Sequence, residues 1–143
     1  VIILMAYAES LLGTQYKWAG NNSIEGFDCS GLVVELLKST GEPLPFSDMS
    51  SQMLFNYYQS GHGEWNRQQV GALAFYGESA TKVTHVAMFM DQYRIIEAGG
   101  GGNLVLTEED AAAKGAVVRV RPYNYRKDLL AVIRPYFRGI GQI

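Results

Sequence analysis

The only cysteine in this chain lies in "EGFDCSGLVVELLKSTG", residues 25–41. A cysteine does nucleophilic chemistry as the thiolate, so its surroundings must favour a negative sulfur. After Cys29, the apolar residues Leu32, Val33, Leu36 and Leu37 recur at the spacing of one helix face. Cys29 therefore begins a helix. Unpaired N–H groups and the macrodipole at a helix N-terminus favour the thiolate. The same N–H groups can hold the oxyanion that forms when sulfur attacks a carbonyl. Position alone leaves a second reading open, because lone cysteines are most often small core hydrophobes.

A nucleophilic cysteine needs a base, and the chain has two histidines. His62, in "QSGHGEW", sits in a glycine-flanked loop and reads as exposed. His85 opens the apolar run "HVAMFMD", where a strand end can aim an imidazole into a cleft. A base histidine also needs a partner for its second ring nitrogen. The next apolar run, "YRIIEAG", forms a hairpin with the first and brings Glu97 beside His85. A carboxylate there fixes the tautomer and favours imidazolium, and with it a Cys–His ion pair. The bland alternatives are a hydrogen-bonded strand histidine and a solvated strand-end acid. If Glu97 faces solvent, Asn103 or a backbone carbonyl becomes the orienting group.

These residues need a frame to hold them. The first half of the chain reads as helical. "ILMAYAESLLG" carries an apolar stripe that stops at Gly13, and Gly41 with Pro43 closes the helix that begins at Cys29. Ser47 or Asp48 caps a third helix in "MSSQMLFNYYQSG". "QYKWAGNNSIEGF" and "EPLPF" read as loops. The second half reads as strands: "GALAFYG", "HVAMFMD", "YRIIEAG", "AVVRVRPY" and "DLLAVIRPYF", with a short helix in "TEEDAAAKG". Helices followed by an antiparallel meander make an α+β layout. The chain is read as one domain over 1–143, since 143 residues suit a single core.

Composition removes several functions. Net charge is −2 with no long basic run, which argues against a nucleic-acid partner held through phosphates. No apolar run approaches a membrane span. "VIILMAYA" is short and lacks a basic flank, so it is not read as a signal peptide. The start at Val1 fits a processed or excised domain. One histidine and one aspartate in "HVAMFMD" make no metal site, and no cofactor is expected. "GGGG" at 99–102 lacks the Gly-Lys-Ser/Thr ending of a phosphate cradle. There is no Gly-x-Ser-x-Gly nucleophile elbow. The nine tyrosines and two tryptophans suit either ordinary packing or a groove for sugars or peptides.

From about Tyr7 to about Arg121 the chain resembles the NlpC/P60 cysteine peptidases, a minimal papain-like fold that cuts peptidoglycan stem peptides. The resemblance rests on "LGTQYKWAGNNSIEGFDCSGLV", on "GALAFYG" followed by "VTHVAMFM", and on "RIIEAGGGG". It implies N-terminal helices packed on an antiparallel sheet, with Cys29 as nucleophile, His85 as base and Glu97 as orienting residue. It implies further that the Tyr16 hydroxyl assists at the oxyanion, and that Asp28, Ser30 and Trp18 contact the substrate. The implied partner is a peptidoglycan stem peptide, cut between D-glutamate and the diamino acid. The implied location is secreted, at the cell envelope or in a phage virion. Three positions depart from the family pattern: Glu97 where histidine is frequent, "WAG" where an aromatic-Gly-Gly is common, and Ala72 where an acid is frequent. The glutamate and glycine-rich variant also resembles forms from phage tail or lysin modules. Two other readings stay open, a non-catalytic wall-binding module of the same fold and an amidase or acyltransferase with a non-wall substrate.

Overall fold

The structure, a computed structural model, describes residues 2–14, 21–22, 26–99 and 117–137. Within them α1 (Ile2–Ser10) leads by short β1 (Asn21–Asn22) and β2 (Gly26–Phe27) to α2 (Cys29–Ser39) and α3 (Ser51–Tyr57). Leu4, Ala8 and Leu11 are buried, three to four residues apart, so the N-terminal stripe turns one face inward. Gly13 and Gly41 take φ of 85° and 80°, the left-handed region that lets the chain leave a helix without a Cβ clash. The expected helix at "TEEDAAAKG" lies outside the described residues.

The cap of α3 differs from expectation. It is Ser50, not Ser47 or Asp48: Ser50 has extended backbone and its hydroxyl accepts from Met53 N at 3.1 Å. Ser47 is used otherwise, its carbonyl accepting from Lys38 Nζ at 2.7 Å within the loop. After α3 the chain continues through a wide π-type turn, Tyr58–His62. His62 sits in that turn, stacked on Tyr57 with ring centroids 4.0 Å apart, so it is part-buried and not a bare loop tip.

The rest is a six-stranded antiparallel sheet of β3 (Gly63–Trp65), β4 (Leu73–Ser79), β5 (Lys82–Phe89), β6 (Arg94–Gly99), β7 (Val117–Pro122) and β8 (Leu129–Pro135). The order is β3-β8-β4-β5-β6-β7. β4 to β7 form the expected meander, but β8 returns to lie between β3 and β4. Its sequence suits an interior strand: Ala131 and Ile133 join one apolar cluster and Val132 the other. β3 was not anticipated, because three residues with only Gly63 buried show no alternation.

The larger cluster fills the space between the helices and the sheet, where Leu32, Leu36, Phe75, Val86, Met88 and Ile96 are fully buried. Each such side chain stabilises the fold by about 1.5–3 kcal/mol. The smaller cluster, including Tyr76, Ala87, Phe89 and Ile95, is packed against by Tyr123, Tyr125 and Leu129. The segment joining β7 to β8 thus closes one side of the sheet, and this matters for the site.

Candidate active site

Cys29 is the first residue of α2 and is half-buried. Asp28 caps the helix from an extended backbone, its carboxylate accepting from Gly31 N at 2.6 Å. The sulfur lies 3.4 Å from Ser51 Oγ, on the first turn of α3. His85 is its other neighbour, near enough that each of the two shifts the other's ionisation.

His85 is buried and lies inside β5, which starts at Lys82; the strand does not open on it as the sequence suggested. Tyr76 of β4 is its cross-strand partner, and the two rings lie 5.5 Å apart. The register between β4 and β5 slips just past this pair, at Gly77. A β-carbon at Gly77 would run into the Lys82 carbonyl, so glycine permits the bulge that sets the strand's approach to the site. His85 Nε2 is 2.6 Å from Glu97 Oε1. Since Nε2 is taken by the carboxylate, Nδ1 is the nitrogen left for the sulfur.

The sheet register explains why Glu97 reaches. β5 and β6 pair Met88 with Ile96 and Phe89 with Ile95, so Glu97 stands diagonal to His85 and a long side chain spans that gap. On its other side Glu97 pairs directly with Arg119 of β7, whose Nε donates to Oε2 at 2.9 Å. The Tyr125 hydroxyl, from the segment after β7, lies 2.6 Å from Oε1 and 2.8 Å from Oε2. The carboxylate is wholly buried, yet both oxygens are satisfied.

The charges follow from this wiring. Burial alone would push the Glu97 carboxyl up; His85, Tyr125 and Arg119 outweigh it and bring it down to about 2. Burial likewise disfavours a charged His85, but hydrogen bonds and charge from Cys29 and Glu97 raise it to about 9. Burial also opposes a charged Cys29. The His85 hydrogen bond and charge, with help from Ser51, overcome it, and the thiol is held below its ordinary value although Asp28 pulls the other way. The wiring therefore favours a charged imidazolium at His85 backed by an ionised Glu97, and it shifts Cys29 toward the thiolate. Burial and the Glu97 charge raise Tyr125 to about 12, so it remains a donor.

A family model described as the NlpC/P60 family matches residues 13–121. The chain belongs to the NlpC/P60 family. Among solved structures it is similar to a Staphylococcus aureus protein described as similar to a lipoprotein of the NLP/P60 family, at 22% identity and TM-score 0.66. That match covers 93% of this chain and 40% of the other, so this chain spans about two fifths of that relative's length. It is similar to the Mycobacterium tuberculosis peptidoglycan hydrolase RipB at 23% identity and TM-score 0.63, over 92% of this chain and 62% of RipB. RipD of the same organism, described as a non-catalytic domain adapted to peptidoglycan binding, matches at 23% identity and TM-score 0.64, over 93% of this chain and 95% of RipD. No curated protein sequence matches the chain.

Within the NlpC/P60 framework, the residues singled out from sequence fall into three groups. Cys29, His85 and Glu97 come together: Glu97 holds His85 at 2.6 Å, and His85 and Cys29 shift each other's ionisation. Asp28 and Ser30 flank the sulfur's helix turn. Asp28 caps it, and buried Ser30 lies 3.4 Å from the Asp28 carboxylate. Tyr16, Trp18 and Asn103 lie outside the described residues. Sequence reasoning missed Ser51, Arg119 and Tyr125. Alternation in "AVVRVRPY" marked Arg119 as a strand residue, but only the β6–β7 register shows that it faces Glu97. Ser51 and Tyr125 carried no signal in sequence.

Proposed function

We propose that this chain is a cysteine endopeptidase that hydrolyses amide bonds in peptidoglycan stem peptides, at the bond between D-glutamate and the diamino acid. It works as one catalytic domain over 1–143, acting at the cell envelope, after secretion or from a phage virion. The observation that carries the reading is the meeting of Cys29, His85 and Glu97: the carboxylate holds His85 at 2.6 Å, and the histidine is raised while the thiol beside it is lowered. A wall-binding module would not need a buried carboxylate to hold its histidine's proton.

In this mechanism the Cys29 thiolate attacks the amide carbonyl and a C–S bond forms. N–H groups in the first turn of α2, which have no carbonyl partner within the helix, and the Tyr16 hydroxyl steady the oxyanion. The His85 imidazolium gives its proton to the departing nitrogen and the C–N bond breaks. Neutral His85 then takes a proton from water as the water's oxygen attacks the thioester. The C–S bond breaks, the acid product leaves, and the thiolate–imidazolium pair is restored. Glu97 keeps the ring aimed throughout. Asp28, Ser30 and Trp18 contact the substrate.

The test is release of new amine ends from purified peptidoglycan. The wild-type chain is expected to release them, with product masses of two free ends, and Cys29→Ala is not. Equal release by both proteins refutes Cys29 as nucleophile, and an acyl adduct in the products points to a transferase. Iodoacetamide should alkylate Cys29 well below the ordinary thiol range, and His85→Ala should abolish that. Ordinary thiol behaviour together with wall binding would support the binding module.

A further inference from the structure

We propose that Arg119 and Tyr125 are positioning residues for the reaction at Cys29, dividing the Glu97 carboxylate's hydrogen-bonding capacity and charge so that His85 can release its proton. The inference rests on the peptidase reading above. A carboxylate behind a catalytic histidine carries a danger: it can hold the imidazolium proton too well. In this chain Glu97 does not face His85 alone. Oε1 meets His85 Nε2 and the Tyr125 hydroxyl, both at 2.6 Å, while Oε2 accepts from Arg119 Nε at 2.9 Å and lies 2.8 Å from the same hydroxyl. Arg119 and His85 thus stand on opposite oxygens of one buried anion.

The local charge count shows the consequence. Cys29 thiolate and Glu97 contribute two negative charges; His85 imidazolium and Arg119 contribute two positive ones. Removing Arg119 leaves the group one charge negative in a buried site, which favours keeping the proton on His85. The other groups packed around the pair do not replace it. Tyr76 of β4 presents its ring to His85. Ser51 of α3 is neutral and faces the sulfur, and Asp28 at the start of α2 is negative. Arg126 is bound to Asp128 through two hydrogen bonds and lies over the Tyr76 ring. Arg121 of β7 lies over the Tyr125 ring, 5.9 Å from its centroid. Arg119 is the guanidinium bound directly to the carboxylate. It also lies over the Tyr125 ring at 5.5 Å, so the two residues hold each other as well as Glu97.

The test is an imidazole NMR titration that follows His85. Arg119→Met is expected to raise the His85 midpoint by about one pH unit, a tenfold change in proton affinity. Its kcat at neutral pH should fall by about 3- to 10-fold, since a more tightly held proton is a poorer acid and leaves less neutral imidazole for deacylation. Arg119→Lys should restore most of both, and Tyr125→Phe should move both in the same direction by less. An unmoved or lowered midpoint in Arg119→Met overturns the inference, as does a raised midpoint with full activity. Equal loss in Arg119→Met and Arg119→Lys without a shift shows a merely structural arginine and also overturns it. If wild-type protein releases no amine ends from any wall, the peptidase reading fails on its own. The midpoint shift, with the matching change in the pH dependence of Cys29 alkylation, still decides this inference.

Discussion

Replacing Glu97 by Gln is the sharpest probe of the site, since it removes a charge and keeps a hydrogen-bond acceptor. Glu97 is fully buried, 2.6 Å from His85 Nε2, and ionised down to about pH 2. His85 stands at about 9 against an ordinary 6.5. Loss of an opposite charge at this range lowers a pKa by about 1–3 units, so the His85 midpoint should fall to about 7. Arg119 then faces a neutral amide, and its charge pushes the same way. With a midpoint of about 7, the imidazolium fraction at pH 8 drops from about 90% to about 10%, while at pH 6 it stays near about 90%. Amine release from peptidoglycan should therefore fall about tenfold at pH 8 and much less at pH 6, with the alkaline limb of kcat/KM moved down by about two units. Alkylation of Cys29 across the same pH range should show the same displaced limb. A loss of equal size at pH 6 and pH 8, with the limb unmoved, would refute the reasoning and leave Glu97 a purely steric support.

Three further outcomes follow from the same geometry. The depressed Glu97 carboxyl contributes stability that is present above its ordinary 4.5 and lost as pH falls toward about 2, so acid thermal melts should drop through that window and Glu97→Gln should drop less. At Asp28, Ala should cost about 0.5–2 kcal/mol in chemical denaturation through loss of the cap, whereas Asn keeps the cap; if Asn also lowers kcat/KM, the charge has a role in substrate binding beyond capping. At Gly99, a β-carbon would meet Glu97 Oε2 and His85 Cε1 at 3.7 Å, ordinary contact. Gly99→Ala should stay active, and Gly99→Leu should lose most amine release at unchanged fold by circular dichroism.

Much of this protein was written locally. Helix α2 and the placement of Cys29 at its start follow from the spacing of Leu32, Val33, Leu36 and Leu37, and the capping role of Asp28 follows from residue type. Four strands of the meander announced themselves as apolar runs bounded by turns. The partnership of His85 with Glu97 was also within reach, because consecutive strands joined by a short turn pair antiparallel. Local reading stumbled where several caps competed, as at Ser50, where a strand was too short to alternate, as at β3, and where a strand paired out of order, as at β8.

Sequence by itself therefore determined which groups are the candidates for the proposed chemistry: a thiol at a helix start, an imidazole on a strand, a carboxylate on the next. Those properties depend on contacts within a few residues or across one hairpin. Only the tertiary structure decided the charge state of the group. It brought Ser51 from a different helix to the sulfur, and Arg119 and Tyr125 from beyond the next strand to the carboxylate. A buried ionisable group takes its protonation from every charge within several ångströms, whatever the separation along the chain, and the sheet register sets which charges those are.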